Sequence, residues 1–221
     1  MDAVTPPACP RCGGELRAPS LFSSDWRCAE HGAVLPTHVL PNATPEALDH
    51  VRGIAEVPFW IPAPLLPGWM ITGVGYAGDE RSRARATALA CSGPAPLGGV
   101  ADMLLVAEEP AIGLGAGYAG LPVTLAAPDL SGPPEAKVHA ANHPTGLWSV
   151  PAPADRCVVI GEAKGMWLWA ILWPAAAGYV LYEHVVLHDL RDGVPPGLVV
   201  GAPSPYLMRH VPQGPGAPRQ G

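Results

Sequence analysis

The stretch Gly165–Tyr182, "GMWLWAILWPAAAGYVLY", decides the fold. It is uncharged from end to end and sits at the lower length limit of about 18 residues for a membrane-spanning helix. Three features argue against a span. Pro174 and Gly178 fall in its middle, and Trp173 lies near its centre rather than at an end where a headgroup region would hold it. The pattern instead reads as a hairpin: strand 166–173, a turn over Pro174–Gly178, and strand 179–189. A strand covered on both faces needs no apolar–polar alternation, so an unbroken apolar run fits a buried sheet.

Outward from this stretch the chain keeps the same character. It carries 29 Pro and 26 Gly in 221 residues, which favours short strands and many turns over long helices. "WMITGVGYAG" (69–78) and "RATALACSG" (85–93) flank the polar "DERSRA" and form a second hairpin. "MLLVAEE", "KVHAANH", "GLWSV" and "RCVVIGE" add further strands. The fold class is α+β, mostly β, with a small N-terminal zinc ribbon (1–40), a connecting helix (41–55) and a β-rich domain (56–208). In the helix, Thr44 suits the N-cap, Pro45 the first turn, and Ala47, Leu48, Val51 and Ile54 share one face. "VPFWIPAPLLPG" holds four prolines and cannot be an interior strand; it reads as an extended strap packed down by Phe59, Trp60 and Ile61. The loop near 126–135 is rich in Pro and Gly, and residues 209–221 read as a disordered tail.

The N-terminal forty residues carry the one strong chemical motif. Cys9, Cys12, Cys28 and His31 follow the pattern C-x2-C-x15-C-x2-H. Each pair sits on a tight turn that aims two side chains at one point, and zinc takes four such ligands in a tetrahedron. Gly13 and Gly14 give the first turn its freedom, and "ELRAPSLFSSDWRC" is long enough for a hairpin that returns the second pair to the first. His38 is an alternative fourth ligand at a poorer spacing. Trp26 with Leu21 and Phe22 is the expected apolar patch. A redox C-x-x-C would sit in a βαβ context that is missing here. Four protein ligands leave no open position, so one structural zinc per chain is expected and not a catalytic one.

"GVGYAG" (Gly73–Gly78) and "GAGYAG" (Gly115–Gly120) both match the spacing of dinucleotide-binding loops. Neither is expected to be followed by the helix that such a loop needs. The expected reason for the glycines is close packing: Gly73 and Gly75 with Ala86, Ala88 and Ala90 make a flat face on which Trp167, Trp169 and Trp173 would lie, and Gly113, Gly115 and Gly117 follow the same logic. Arg81, Arg83 and Arg85, beside Asp79 and Glu80, mark an anion site or a solvated turn. His184 and His188, and more weakly His139 and His143, have a metal-like spacing that a strand would spread apart. Cys91 and Cys157 read as core thiols. No catalytic or cofactor-binding residue emerges: Leu97 stands where a Cys-x5-Arg loop needs Arg, and no G-x-S-x-G surrounds Ser92.

The stretches "CPRCGGELRAP", "WRCAEHG", "AGDERS", "ATALACSGPAPLGGVADMLLVAEE", "GLGAGYAGL" and "GEAKGMWLWAILWP" cover most of residues 9–192. In them the chain resembles a family of actinobacterial proteins built on a domain of unknown function with an N-terminal zinc ribbon. The resemblance implies a cytoplasmic actinobacterial protein and the same four metal ligands, and it brings no catalytic residues.

The net charge of −6 speaks against non-specific nucleic-acid binding. The ribbon itself balances Arg11, Arg17 and Arg27 against Asp2, Glu15, Asp25 and Glu30. "MDAVTPPACPRC" lacks the basic and apolar regions of a signal peptide, so a cytoplasmic location without a membrane span is expected. The leading expectation is a soluble, non-enzymatic zinc-stabilised binding or adaptor protein whose partner is another protein. The alternative is an enzyme or small-molecule sensor with an anion site near Arg81–Arg85 or the glycine-rich segment 113–120.

Overall fold

Short apolar runs separated by Gly and Pro have one economical way to bury their surface, which is to pair edge to edge. The protein is accordingly mostly β. The computed structural model describes residues 6–21, 23–122 and 129–210; the expected tail from 211, part of the expected loop (126–128) and Phe22 lie outside the described residues. A small antiparallel sheet comes first: β1 (Leu16–Arg17), β2 (Arg27–Cys28) and β3 (Gly32–Ala33). Then follow β4 (Thr37–Leu40), α1 (Pro45–Ile54), β5 (Trp60–Pro62), β6 (Met70–Asp79), β7 (Arg83–Pro94), β8 (Val100–Glu108) and α2 (Leu114–Ala119). The chain continues through β9 (Ala136–Ala140), β10 (His143–Ser149), β11 (Cys157–Ala163), β12 (Met166–Trp173) and β13 (Val186–Asp189).

All strands from β4 onward join one ten-stranded sheet in the order β4-β6-β7-β8-β12-β11-β10-β9-β13-β5. Its far end curls back, so that β5 touches β7 and β8. One apolar core fills the inside of this curl: Leu89, Met103, Leu105, Leu168, Ala170 and Leu172 meet Val138, Leu147, Leu187 and Phe59. The opposite face carries a second core, where Val106, Ile160, Trp169, Ile171 and Trp173 lie under α2 and Leu207. The sequence of β12 therefore alternates between two apolar environments, which is why it shows no polar residue. Among the described residues no helix is long and apolar enough to cross a membrane.

The connecting helix forms as its sequence directs. The Thr44 side chain accepts the Ala47 N–H at 3.2 Å, and Ala47, Leu48 and Val51 are buried while Ile54 is half-buried. The proline-rich strap crosses the core with Phe59, Trp60 and Ile61 buried, and β5 stands at the end of the strand order, where Pro62 interrupts no ladder. The strap is tied down by Asp189, whose fully buried carboxylate accepts the Phe59 N–H at 3.0 Å and ion-pairs with Lys164 at 2.9 Å and Arg191 at 2.8 Å. Burial alone would raise the Asp189 pKa; the Arg191 guanidinium, the Phe59 N–H and Lys164 outweigh it and hold the carboxyl well below the usual range.

Three expectations are corrected. The second half of the deciding stretch is not a strand: Ala175–Tyr182 is a 3-10 helix, and β13 is only four residues long. Ala175–Ala177 favour helical backbone, and Gly178 passes so close to Cys157 that an added Cβ would lie 2.7 Å from its sulfur. β13 pairs with β9 in parallel and with β5 antiparallel, not with β12. Second, the glycines of β6 do not face tryptophan. A Cβ on Gly73 would meet Leu207 at 2.5 Å, and one on Gly75 the His38 carbonyl at 3.0 Å. Trp167, Trp169 and Trp173 do share one face of β12, but β8 and β7 separate them from β6. Third, "GAGYAG" is itself helical. It forms most of α2, between Gly113 (φ +86°) and Gly120 (φ +73°). The tryptophan reading holds at Gly115, where a Cβ would lie 2.3 Å from the Trp169 ring.

Candidate metal centre

The knuckle at Cys9 is built by its glycines. The Cys9 N–H bonds the Gly14 carbonyl and the Gly13 N–H bonds the Cys9 carbonyl, each at 2.8 Å, with Gly13 at φ +68°. A strand ladder then returns the chain: Leu16 pairs with Cys28 and Cys28 with Gly32, and His31 lies in the turn between β2 and β3. The ligand atoms of Cys9, Cys12, Cys28 and His31 consequently all fall within 4.8 Å of one another. His31 Nδ1 is 3.6 Å from both the Cys9 and Cys28 sulfurs, and the Cys12 and Cys28 sulfurs are 3.7 Å apart. A tetrahedron with metal–sulfur bonds of about 2.3 Å has edges of about 3.8 Å; these three spacings match it, and the four residues lie close enough together to bind a metal ion.

Burial pushes the Cys9 thiol up to about 12 and raises Cys12 as well. Burial also acts on Cys28, but the Glu30 N–H, the His31 ring and the His31 N–H outweigh it and bring this thiol down to about 7. A metal bound here would have to displace the protons that burial holds on Cys9 and Cys12, so its affinity would rise with pH. His38 is not part of the cluster; its ring stacks on Tyr76 at 4.8 Å. Leu21 is fully exposed and makes no apolar patch with the half-buried Trp26, and Phe22 is outside the described residues.

The ribbon is fixed to the large sheet. Ala8 and Thr37 exchange backbone hydrogen bonds at 3.0 and 2.8 Å, and Arg11 donates to the carbonyls of Ala111 and Ile112 at 2.7 and 3.3 Å. The knuckle thus touches the loop that leads into α2.

The other candidates disperse. Arg85 forms a bidentate pair with Glu109; Arg83 pairs with Glu56 and donates to the Gly53 carbonyl at 2.7 Å. Only Arg81 of the three lacks an ion pair among the described residues. At "GAGYAG", the N–H groups of Leu114 and Gly115, where a pyrophosphate would bind, are taken by the buried Glu108 carboxylate at 2.7 and 3.2 Å. His184 lies against His139 at 4.8 Å, whereas His188 bonds the Gly193 carbonyl at 2.8 Å. Cys91 is fully buried and Cys157 half-buried, and burial raises both thiols. The sequence does not single out Glu108 or Asp189: Glu108 accepts from N–H groups six and seven residues on, but its burial is set by the sheet around it, and Asp189 meets the Phe59 N–H 130 residues away.

No curated protein and no solved structure matches the chain. A family model does match, over residues 3–207, and the chain belongs to the Family of unknown function (DUF6758).

Proposed function

We propose that Cys9, Cys12, Cys28 and His31 hold one structural zinc, and that the chain is a non-enzymatic binding protein whose ribbon depends on that metal. The observation that carries this reading is the convergence of three thiols and one imidazole, whose ligand atoms lie within 4.8 Å of one another. Soft sulfur and imidazole donors suit zinc, and four of them close its coordination sphere. Strands only two residues long cannot hold the ribbon alone, whereas zinc contributes about 10–16 kcal/mol in small zinc-binding peptides. Reduced thiols agree with a cytoplasmic site of action, and the actinobacterial family resemblance implies the same. The acidic net charge disfavours nucleic acid, which leaves another protein as the partner expected from the sequence. A small-molecule ligand is the second reading, favoured by the cleft described below.

Elemental analysis of protein purified without chelator tests the metal. One zinc per chain is expected, and protein with no zinc overturns the reading. In Cys9→Ser, hydrogen exchange should quicken across residues 9–33 while β6, β7, β8 and β12 stay protected. Uniform loss of protection would mean that the ribbon and the large sheet fold as one unit.

A further inference from the structure

Between the ribbon and the large sheet lies a cleft of about 820 Å³, within the size range of small-molecule sites. Its walls come from the ribbon and four elements of the rest of the chain. The ribbon gives Trp26, β4 gives His38, α1 gives His50, β6 with the turn after it gives Tyr76 and Arg81, and β7 gives Arg83. Tyr76 is the centre of the floor: His38 stacks on it at 4.8 Å with the rings 22° from parallel, and His50 leans over it at 5.8 Å. Burial lowers the His38 pKa, which favours the neutral ring.

The charges at the rim are unequal in availability. Asp79 turns inward on its own turn, where its carboxylate accepts the Arg81 and Ser82 N–H groups at 3.0 and 2.8 Å and the Ser82 hydroxyl at 2.9 Å. Arg83 is paired with Glu56. Arg81 is different. The Asp79 bonds fix its backbone, and its exposed guanidinium makes one long contact, 3.5 Å to the Ser24 carbonyl, across the mouth of the cleft. Glu80 stands exposed on the same rim; among the described residues Arg81 is the rim cation without an ion pair, and its charge also helps to keep Asp79 ionised. That balance disfavours polyanions such as nucleotides and admits a single negative charge.

We propose that this cleft binds a flat aromatic monocarboxylate, with its ring against Tyr76, His38 and Trp26 and its carboxylate on Arg81. This deepens the reading of a zinc-stabilised binding protein and rests on it, because Trp26 lies two residues from the ligand Cys28 and the metal holds that wall in place. An Arg–carboxylate pair at a partly enclosed site fixes orientation, and ring stacking supplies contact area.

Indole-3-carboxylate is a suitable probe, titrated by calorimetry into the full chain with its zinc content measured in the same sample. Saturable 1:1 binding is expected. Arg81→Ala, Trp26→Ala and the neutral probe indole-3-carboxamide should each weaken it by about tenfold or more. Equal thermal melting of the Arg81→Ala protein separates loss of contact from loss of fold, and the amide probe makes the same point without a mutation. No saturable binding at millimolar probe, or binding unchanged by both variants and by the amide, overturns the proposal. Zinc present without binding would sink the cleft alone; binding by zinc-free protein would sink the structural-zinc reading alone.

Discussion

Glu108 is a carboxyl group in an apolar core, 2% exposed, and burial pushes its pKa up to about 7 against the N–H groups of Leu114, Gly115 and Gly113 that favour its charge. The folded state therefore binds a proton more tightly than the unfolded chain does. Its contribution is most favourable below the unfolded value near 4.5 and is lost as pH rises through about 7. Glu108→Gln should remove that slope. Denaturant titrations of both proteins between pH 5 and 8 should show the variant gaining relative to wild type toward the alkaline end, by on the order of 3 kcal/mol at most. A parallel pair of pH profiles would count against a raised Glu108. Gly75 makes a different kind of test. The His38 carbonyl lies 3.0 Å from where its Cβ would be, so Gly75→Val should cost about 1–3 kcal/mol in thermal or chemical unfolding. The cluster of Cys9, Cys12, Cys28 and His31 could be read from the sequence because its geometry is set by two local turns. The neighbour of Gly75 could not be, since β4 and Leu207 reach it from both ends of the chain and no local pattern records that.

At the scale of elements, the clearest lesson lies in Gly165–Tyr182. Its first half was legible as a strand because length and apolarity suffice to define one. Its second half was not, because a short apolar run has no periodicity strong enough to separate strand from 3-10 helix. The strap was legible for the opposite reason: its prolines exclude an interior ladder position whatever surrounds it. The Asp189 cluster reinforces the backbone ladder between β5 and β13. Asp189→Asn should cost about 3–5 kcal/mol at neutral pH, since Lys164 and Arg191 lose their shared charge. The sign with pH is opposite to that of Glu108. The lowered Asp189 pKa contributes stability above the unfolded value near 3.8 and loses it as pH falls, so the gap between wild type and Asp189→Asn should narrow below about pH 4. A gap that stays constant down to pH 3 would mean that the carboxylate is not ionised in the cluster.

For the whole molecule, the fold class was within reach of composition, but the strand order was not. Ten strands admit many orders, and the one adopted places β5 next to β13, pairing residues more than a hundred positions apart. Such contacts follow from closing a core, not from local propensity. The same holds for the cleft, whose walls come from the ribbon, β4, α1, β6 with its turn, and β7. One long-range contact has a consequence for how the protein is made. Backbone bonds tie Val199 and Gly201 to Ile71, and Ser204 to Thr72, each at 2.8 Å, and they set Leu207 into the groove above Gly73 and Gly75. During synthesis β6 leaves the ribosome long before that plug exists. The nascent sheet must wait with a bare, small-residue groove and an unpaired stretch of backbone, the kind of surface on which unfinished chains stick to one another. A chain ending at Ala202 should never leave that state; it should accumulate as aggregate, and recover solubility when a peptide spanning residues 203–210 is supplied in trans.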